Sequence, residues 1–173
     1  MRVIERTEDN SYEYPLISML QARSREGDEL LLHSGGPVTD LSQRSMLPAL
    51  DSIRFLFFEP YREDAPTGSA LRGEIHLGTP PPLNLVRQRL IEGRWKTEVE
   101  YNPATLEQAL SIVAEHEIEV ELNEQHSIIP GGFAGLLGYD LGRWSNSIRL
   151  VNTPEPGTLL GVLWRCDAWW IHE

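Results

Sequence analysis

The most reactive side chains of this sequence do not form a recognisable catalytic or metal-binding pattern. The five histidines are scattered, and none lies in an HExxH, CxxC or HxH arrangement, the spacings that zinc sites use. The single cysteine, Cys166, lies in an apolar segment, which predicts a buried structural thiol and not a nucleophile. No GxSxG nucleophile elbow occurs. We therefore predict no catalytic residue and no metal ligand in this chain.

One run of acidic residues invites a metal-binding interpretation. Glu117, Glu119 and Glu121 alternate with apolar residues. A cation needs carboxylates that converge on one point, and alternation along a strand supplies charge without convergence. The pattern therefore favours a solvated strand or linker face.

The composition excludes several classes of partner. The formal net charge is −11, and such a surface repels phosphate backbones, so we expect no nucleic-acid partner. No apolar run approaches the roughly 18 residues of a membrane span, and the start, MRVIERTEDNSYEY, is not a secretory signal. A lone cysteine cannot form an internal disulfide. We expect one domain of a cytoplasmic protein with no membrane partner.

The most distinctive segment spans residues 131–143, with the sequence GGFAGLLGYDLGR. It is not a P-loop, because no Gly-Lys-Ser/Thr follows, and its GxxGxxG spacing differs from the Rossmann fingerprint. Glycines interleaved with apolar residues predict a strand that another backbone approaches closely. We expect Asp140 and Arg143 to form local hydrogen bonds or an ion pair that fixes the following turn.

The elements that position this segment indicate an α+β fold of mostly antiparallel β-sheets with flanking helices. A long loop is predicted over 35–51. The clearest helix opens at Asn102-Pro103, with Asn102 as the N-cap and Leu106, Ala109, Leu110 and Val113 as one apolar stripe. Another helix is predicted over 15–27, and strands are predicted over 29–34, 53–58, 71–77, 94–101 and 158–171.

Segment 131–143 resembles the signature GG-x-x-G-x-x-GYD-x-x-R, which closes the N-terminal region of the anthranilate synthase component I family. The matching residues are Gly131, Gly132, Gly135, Gly138, Tyr139, Asp140 and Arg143. The GYDLGR ending is closer to aminodeoxychorismate synthase than to anthranilate synthase. The same holds for LLHSG at 31–35, where anthranilate synthases have LLES. The likeness covers nearly the whole chain and is strongest from about Ser127 onward.

The resemblance implies that residues 1–173 form the N-terminal domain of the chorismate-utilising synthase fold, without the C-terminal chorismate-binding domain. In the family, that second domain carries the chorismate site, the magnesium-binding glutamates and the catalytic lysine. The chain also stops within an aromatic run that contains Trp169 and Trp170. We therefore expect a fragment, a cloned domain or a split gene product without catalysis of its own. The full-length relative aminates chorismate to 4-amino-4-deoxychorismate for folate biosynthesis, with magnesium and a glutamine amidotransferase subunit.

The resemblance also implies a pocket for tryptophan. It falls on Leu32, His33 and Ser34, and on the place of an S-R-F-D-like stretch of the family, which Asp51, Ser52 and Ile53 occupy here. A serine hydroxyl and strand-end amides can hold an α-carboxylate or α-amino group. The arginine and the phenylalanine of that stretch are replaced, and residues 42–50 lengthen the preceding loop.

Three functions remain open at this point. The chain could be a non-catalytic scaffold and effector domain of an aminodeoxychorismate synthase-like protein, with a docking surface for the amidotransferase. It could instead be a stand-alone tryptophan-binding regulatory module. It could also be an interaction module whose C-terminal strand pairs with a partner or with a second copy of the chain.

Overall fold

The computed structural model describes residues 28–32, 45–61, 80–118, 131–145 and 154–172. Its elements are β1 (Ser45–Phe58), β2 (Asn84–Ile91), β3 (Arg94–Tyr101), α1 (Leu106–Ala114), β4 (Phe133–Leu137), a 3-10 helix (Tyr139–Trp144) and β5 (Leu159–His172). The five strands form one antiparallel sheet in the order β3-β2-β1-β5-β4. The prediction of a sheet-dominated, antiparallel α+β fold is confirmed. The helix predicted over 15–27 and the strand predicted over 71–77 lie outside the described residues.

The central strand β1 carries apolar side chains on both faces of the sheet. Phe55 and Phe57 point to the face that carries α1 and the 3-10 helix, whereas Leu56 points to the opposite face. A strand with both faces covered reads as a continuous apolar run, as IRFLFF does. The main core consists of Ile53, Phe55, Phe57, Leu83, Leu85, Ala109, Val113, Leu141, Trp144 and Leu160.

The first half of β1 shows that the loop predicted over 35–51 was wrong from Ser45 onward. Met46 exchanges two backbone hydrogen bonds with Leu32, of 2.8 and 2.9 Å, on the side away from β5. Side alternation along a strand puts the nitrogen of Pro48 on that same side. The pairing on that side is an isolated bridge at Leu32 and Met46 that does not continue to Pro48, so the sheet requires no hydrogen bond from the Pro48 nitrogen. Proline is therefore tolerated at this position of β1.

A tight hairpin joins β2 to β3. The strand β3 was predicted with the bounds that the structure shows, whereas β2 was not predicted, because its Arg-Gln-Arg centre hides the apolar alternation. Glu92 and Gly93 form the two-residue connection with φ values of 53° and 72°. Positive φ at both positions is the mark of a type I′ turn, which matches the twist of the flanking strands.

Replacing Glu92 with asparagine is expected to stabilise the protein by about 1 kcal/mol, because asparagine tolerates the left-handed conformation better than glutamate. Urea denaturation followed by circular dichroism measures the change. Glu92→Gln is the matched control, since it removes the same charge and keeps the strained backbone. Equal stabilisation by both substitutions would show that charge, and not backbone conformation, is responsible.

Helix α1 begins later than its sequence suggested. The N-cap is Thr105, not Asn102: the Thr105 hydroxyl accepts a hydrogen bond from the Gln108 N–H, and the Gln108 side chain accepts one from the Ala104 N–H. Ala109 and Val113 are buried as predicted, whereas Leu110 is exposed. Within the described ranges, no helix combines the length and apolar character that a bilayer span needs.

The predicted C-terminal strand is confirmed as β5, which runs beside β1 over its whole length. On its other side, residues 161–165 pair with β4. The pairing with β1 is irregular in the middle: Leu50 lies opposite Cys166, and Arg54 lies opposite Trp164. Three residues of β1 therefore face a single residue of β5, which defines a β-bulge.

Candidate functional site

The bulge in β1 contains three of the residues that the family resemblance assigns to an effector pocket. Asp51, Ser52 and Ile53 all lie opposite Arg165 of β5. Bulges bend a strand and turn side chains out of the regular alternation, and they recur beside binding sites. The bulge thus makes residues 51–53 the most irregular part of the sheet. The side chains of Asp51 and Ile53, however, are already engaged by other parts of the protein.

The Asp51 carboxylate is engaged within the protein. One oxygen, Oδ2, accepts a hydrogen bond from the Arg165 Nε at 2.5 Å. The other, Oδ1, accepts from the backbone N–H of Ser52 at 2.6 Å and from the Ser52 hydroxyl at 3.1 Å. The side chain of Ile53 is buried in the main core. A ligand at the bulge would therefore bind an Asp51 carboxylate that already accepts a hydrogen bond from Arg165. It could contact only the backbone of Ile53, because the side chain is buried.

The segment 28–32 lies beside β1, but it places Leu32 at Met46, five residues before Asp51. Asp28 Oδ2 accepts hydrogen bonds from the Arg54 Nη1 at 2.5 Å and from the Trp164 Nε1 at 2.7 Å. Leu32 forms its bridge with Met46, and its side chain is exposed. The segment therefore passes the bulge between these two contacts. His33 and Ser34, the remaining predicted pocket residues, lie outside the described residues.

The residues around Arg54 form a polar network that sequence reasoning missed. The Arg54 Nε and Nη2 both donate to the Gln88 Oε1, at 2.9 and 2.7 Å, and the guanidinium lies 4.2 Å from the ring centroid of Trp95. Stacking on an aromatic face is a common way to hold an arginine. The sequence feature that could have revealed this network is Arg54 within the apolar run IRFLFF, because a charged side chain buried there needs hydrogen-bonding partners.

Cys166 has the character of a structural thiol. It is buried, and burial raises the pKa of its thiol to about 11, so very little thiolate exists at neutral pH. Its backbone N–H donates to the Gly132 carbonyl at 2.9 Å, which joins β5 to the signature segment, residues 131–143. In the described part of the chain, no three His, Cys, Asp or Glu side chains converge as a metal site would require.

The signature segment is a strand followed by a 3-10 helix, and its glycines allow two backbones to touch. A Cβ atom added at Gly135 would lie 1.9 Å from the Val162 carbonyl oxygen, and one added at Gly138 would lie 2.7 Å from the Leu160 oxygen. Gly131 and Gly132 have φ values of 79° and 88°, which few other residues adopt. The predicted close approach of another backbone is confirmed, and that backbone belongs to β5.

Arg143 forms a long-range ion pair and not the local contact with Asp140 that was expected. Its Nη1 donates to both oxygens of Glu59, at 3.1 and 2.9 Å. Glu59 is 1% exposed, and the guanidinium also lies 4.7 Å from the ring centroid of Trp144. The Glu59 carboxylate lies within reach of Arg143 because the end of β1 is held beside the start of β5. The Glu59 N–H donates to the Thr158 carbonyl there.

No protein-family model, curated protein or solved structure matches this chain. The family resemblance therefore rests on the sequence, chiefly on residues 131–143 and 31–35 and also on the helix opened by Asn102-Pro103. The geometry adds that Gly135 and Gly138 of the signature segment lie where another backbone leaves no room for a side chain, and that Arg143 pairs with a buried carboxylate.

Proposed function

We propose that this chain is the N-terminal region of a chorismate-utilising synthase related to aminodeoxychorismate synthase component I, and that it is a non-catalytic scaffold. The observation that carries the proposal is the signature segment itself. Gly135 and Gly138 lie against the backbone of β5, and Arg143 is bound to the buried Glu59. Residues used in this way support a fold, which is the role that the proposal assigns to this segment.

In this proposal, the chemistry belongs to the chorismate-binding domain of the parent protein. That domain would hold chorismate and magnesium and would aminate chorismate to 4-amino-4-deoxychorismate. A glutamine amidotransferase subunit would supply the ammonia and would dock on the assembled protein. The sheet described here would position a tryptophan-like effector beside the bulge of β1. We assign no catalytic residue and no cofactor to this chain.

The direct test supplies the purified chain with chorismate, ammonium and Mg²⁺ and measures 4-amino-4-deoxychorismate by chromatography. We expect no product above the protein-free blank, with a complete aminodeoxychorismate synthase as the positive control. A second arm adds the chorismate-binding domain of such an enzyme, prepared without its own N-terminal region. A stable complex with restored turnover would support the scaffold role. Turnover by the chain alone, or no complex at all, would contradict it.

A second candidate function is a stand-alone tryptophan-binding module. The contact of Asp28 with Arg54 favours it, because this contact holds segment 28–32, which leads into the expected pocket residues, beside the strand that carries Asp51. Calorimetric titration with L-tryptophan is expected to show saturable binding that Ser34→Ala weakens. Ser111→Ala, which removes a hydroxyl bonded to the Glu107 carbonyl on α1, is the matched control and should leave binding unchanged. Absence of heat at millimolar tryptophan would exclude this function.

A further inference from the structure

The two edges of the sheet differ in how they resist pairing with another strand. At one edge, β3 carries the charged residues Arg94, Lys96, Glu98 and Glu100, and charges on an edge strand discourage association. At the other edge, β4 has the sequence FAGLL, without a charge or a proline. The uncharged stretch extends over residues 131–139. The edge formed by β4 therefore has none of the side chains that usually protect an edge.

The hydrogen bonds of β4 identify the backbone groups on its outer side. The Gly132 carbonyl accepts from the Cys166 N–H, and the Gly138 N–H donates to the Leu160 carbonyl. In an antiparallel ladder, alternate residues bond to the same neighbour, so Ala134 and Leu136 also face β5. The N–H and C=O groups of Phe133, Gly135 and Leu137 then point outward. The described part of the chain places no strand on that side.

Exposed leucines lie along this same edge. Leu136 is 65% exposed and Leu137 is 47% exposed, on opposite faces of the strand. Single exposed leucines are ordinary on protein surfaces, but neighbouring ones beside an open backbone edge mark an interaction site. The edge thus offers both hydrogen-bonding groups and apolar surface to an added strand.

We infer that β4 pairs antiparallel with β4 of a second copy of this chain, about a two-fold axis at Gly135. The outward residues are symmetric about Gly135, with Phe133 two positions before it and Leu137 two positions after it. In the pair, Gly135 lies opposite Gly135 of the second copy, and Phe133 lies opposite Leu137 of the second copy. Every outward N–H and C=O of the three residues then has a partner, and the two sheets become continuous.

The charge distribution restricts where a second copy can bind. Two copies of a chain with a net charge of −11 repel each other, so they associate best where the contact itself is uncharged, as it is over 131–139. Across this seam, Leu136 of each copy lies next to Ala134 of the other on one face. Phe133 packs against Leu137 of the other copy on the opposite face. Both exposed leucines therefore become covered.

The inference is independent of the proposed scaffold function. It differs from the sequence expectation of self-association through the C-terminal strand, because β5 lies inside the sheet where β4 pairs with it. Self-association through β5 would have to use residues beyond 165. The edge of β4 needs no rearrangement of the described strands.

Sedimentation velocity over a wide range of protein concentration tests the inference, with one variant at the seam and one beside it. The chain is expected to shift from monomer to dimer as its concentration rises. Leu136→Lys is expected to raise the dimer dissociation constant about a hundredfold, because each dimer contains two such leucines and each loss weakens association about tenfold. Leu159→Lys is the control: it changes the charge equally and removes a leucine that is 52% exposed at the start of β5. A monomer at every concentration, or equal effects of the two variants, overturns the inference.

Amide hydrogen exchange on the unmodified chain tests the register without any substitution. The amides of Phe133, Gly135 and Leu137 are expected to exchange more slowly at concentrations where the dimer forms. The amides of Ala134 and Leu136, which already face β5, should be protected in both states. A dimer that leaves the exchange of Phe133, Gly135 and Leu137 unchanged would use another surface, and this result would also overturn the inference.

Discussion

Replacing Arg143 with alanine is expected to lower the free energy of unfolding by about 3–5 kcal/mol. The substitution removes the guanidinium that donates to both oxygens of Glu59, a carboxylate that is 1% exposed. A charge buried this deeply loses its hydration on folding and depends on its ion pair to offset that cost. Guanidinium chloride denaturation, followed by tryptophan fluorescence and circular dichroism, measures the loss.

A surface ion pair provides the control for this prediction. Arg89 donates to Glu98 at 2.5 Å, but its side chain is 40% exposed. Such pairs contribute little, so Arg89→Ala is expected to change stability by at most about 1 kcal/mol. Replacing both Glu59 and Arg143 with leucine should be less harmful than Arg143→Ala, because no buried charge is then left. A loss below about 1 kcal/mol for Arg143→Ala would show that the pair does not hold the end of β1 to the 3-10 helix.

Adding one methyl group at Gly135 is expected to disrupt the contact between β4 and β5. In Gly135→Ala, the new Cβ would lie 1.9 Å from the Val162 carbonyl oxygen and 2.9 Å from the Leu163 Cα. Both obstacles are backbone atoms, so no side-chain rotation can relieve the overlap. We expect a loss of about 3 kcal/mol or more, at the upper end of what overpacking costs. Thermal and chemical denaturation measure it.

Gly132→Ala separates this overlap from ordinary glycine effects. Gly132 has a φ of 88°, but no heavy atom lies within 4 Å of its added Cβ. Only backbone strain should appear, with a cost of about 1–2 kcal/mol. If Gly132→Ala proved as harmful as Gly135→Ala, backbone conformation and not close packing would explain the glycines of the signature segment.

Both predictions concern how the signature segment supports the fold. Arg143 holds the 3-10 helix to the end of β1, and Gly135 lets β4 lie against β5. If both substitutions destabilise the protein, the segment is a folding element, as the proposed scaffold function requires. These losses of stability would then impair ligand binding indirectly, through the fold. The pocket must therefore be tested with variants that leave these two contacts intact.

Local patterns were sufficient for several elements. The alternation in 94–101 predicted β3, the apolar spacing from Leu106 to Val113 predicted the body of α1, and the apolar run 158–171 predicted β5. Each of these patterns depends on periodicity within one element, which neighbouring residues determine. The interleaved glycines of 131–138 likewise predicted a close backbone approach, although not which strand makes it.

The elements that were missed depend on neighbours distant in the chain. Residues 45–51 were predicted as part of a loop but belong to β1, where Pro48 is tolerated because its nitrogen faces a side on which no described strand pairs with it. Thr105 caps α1 although Asn102-Pro103 is the stronger local signal, because Pro103 instead accepts a backbone hydrogen bond from Leu83. The charged residues of β2 obscured its apolar alternation, so this strand is evident only from its place between β1 and β3 in the sheet.

For the candidate site, the sequence by itself determined which residues carry the family resemblance and which types of side chain are present. Tertiary structure decided their partners: Arg143 binds Glu59, 84 positions earlier, and Asp51 binds Arg165, 114 positions later. It also left the uncharged strand β4 at an edge of the sheet. The physical reason is that ion pairs and strand order depend on which segments become neighbours when the core is buried, and no local periodicity records that choice.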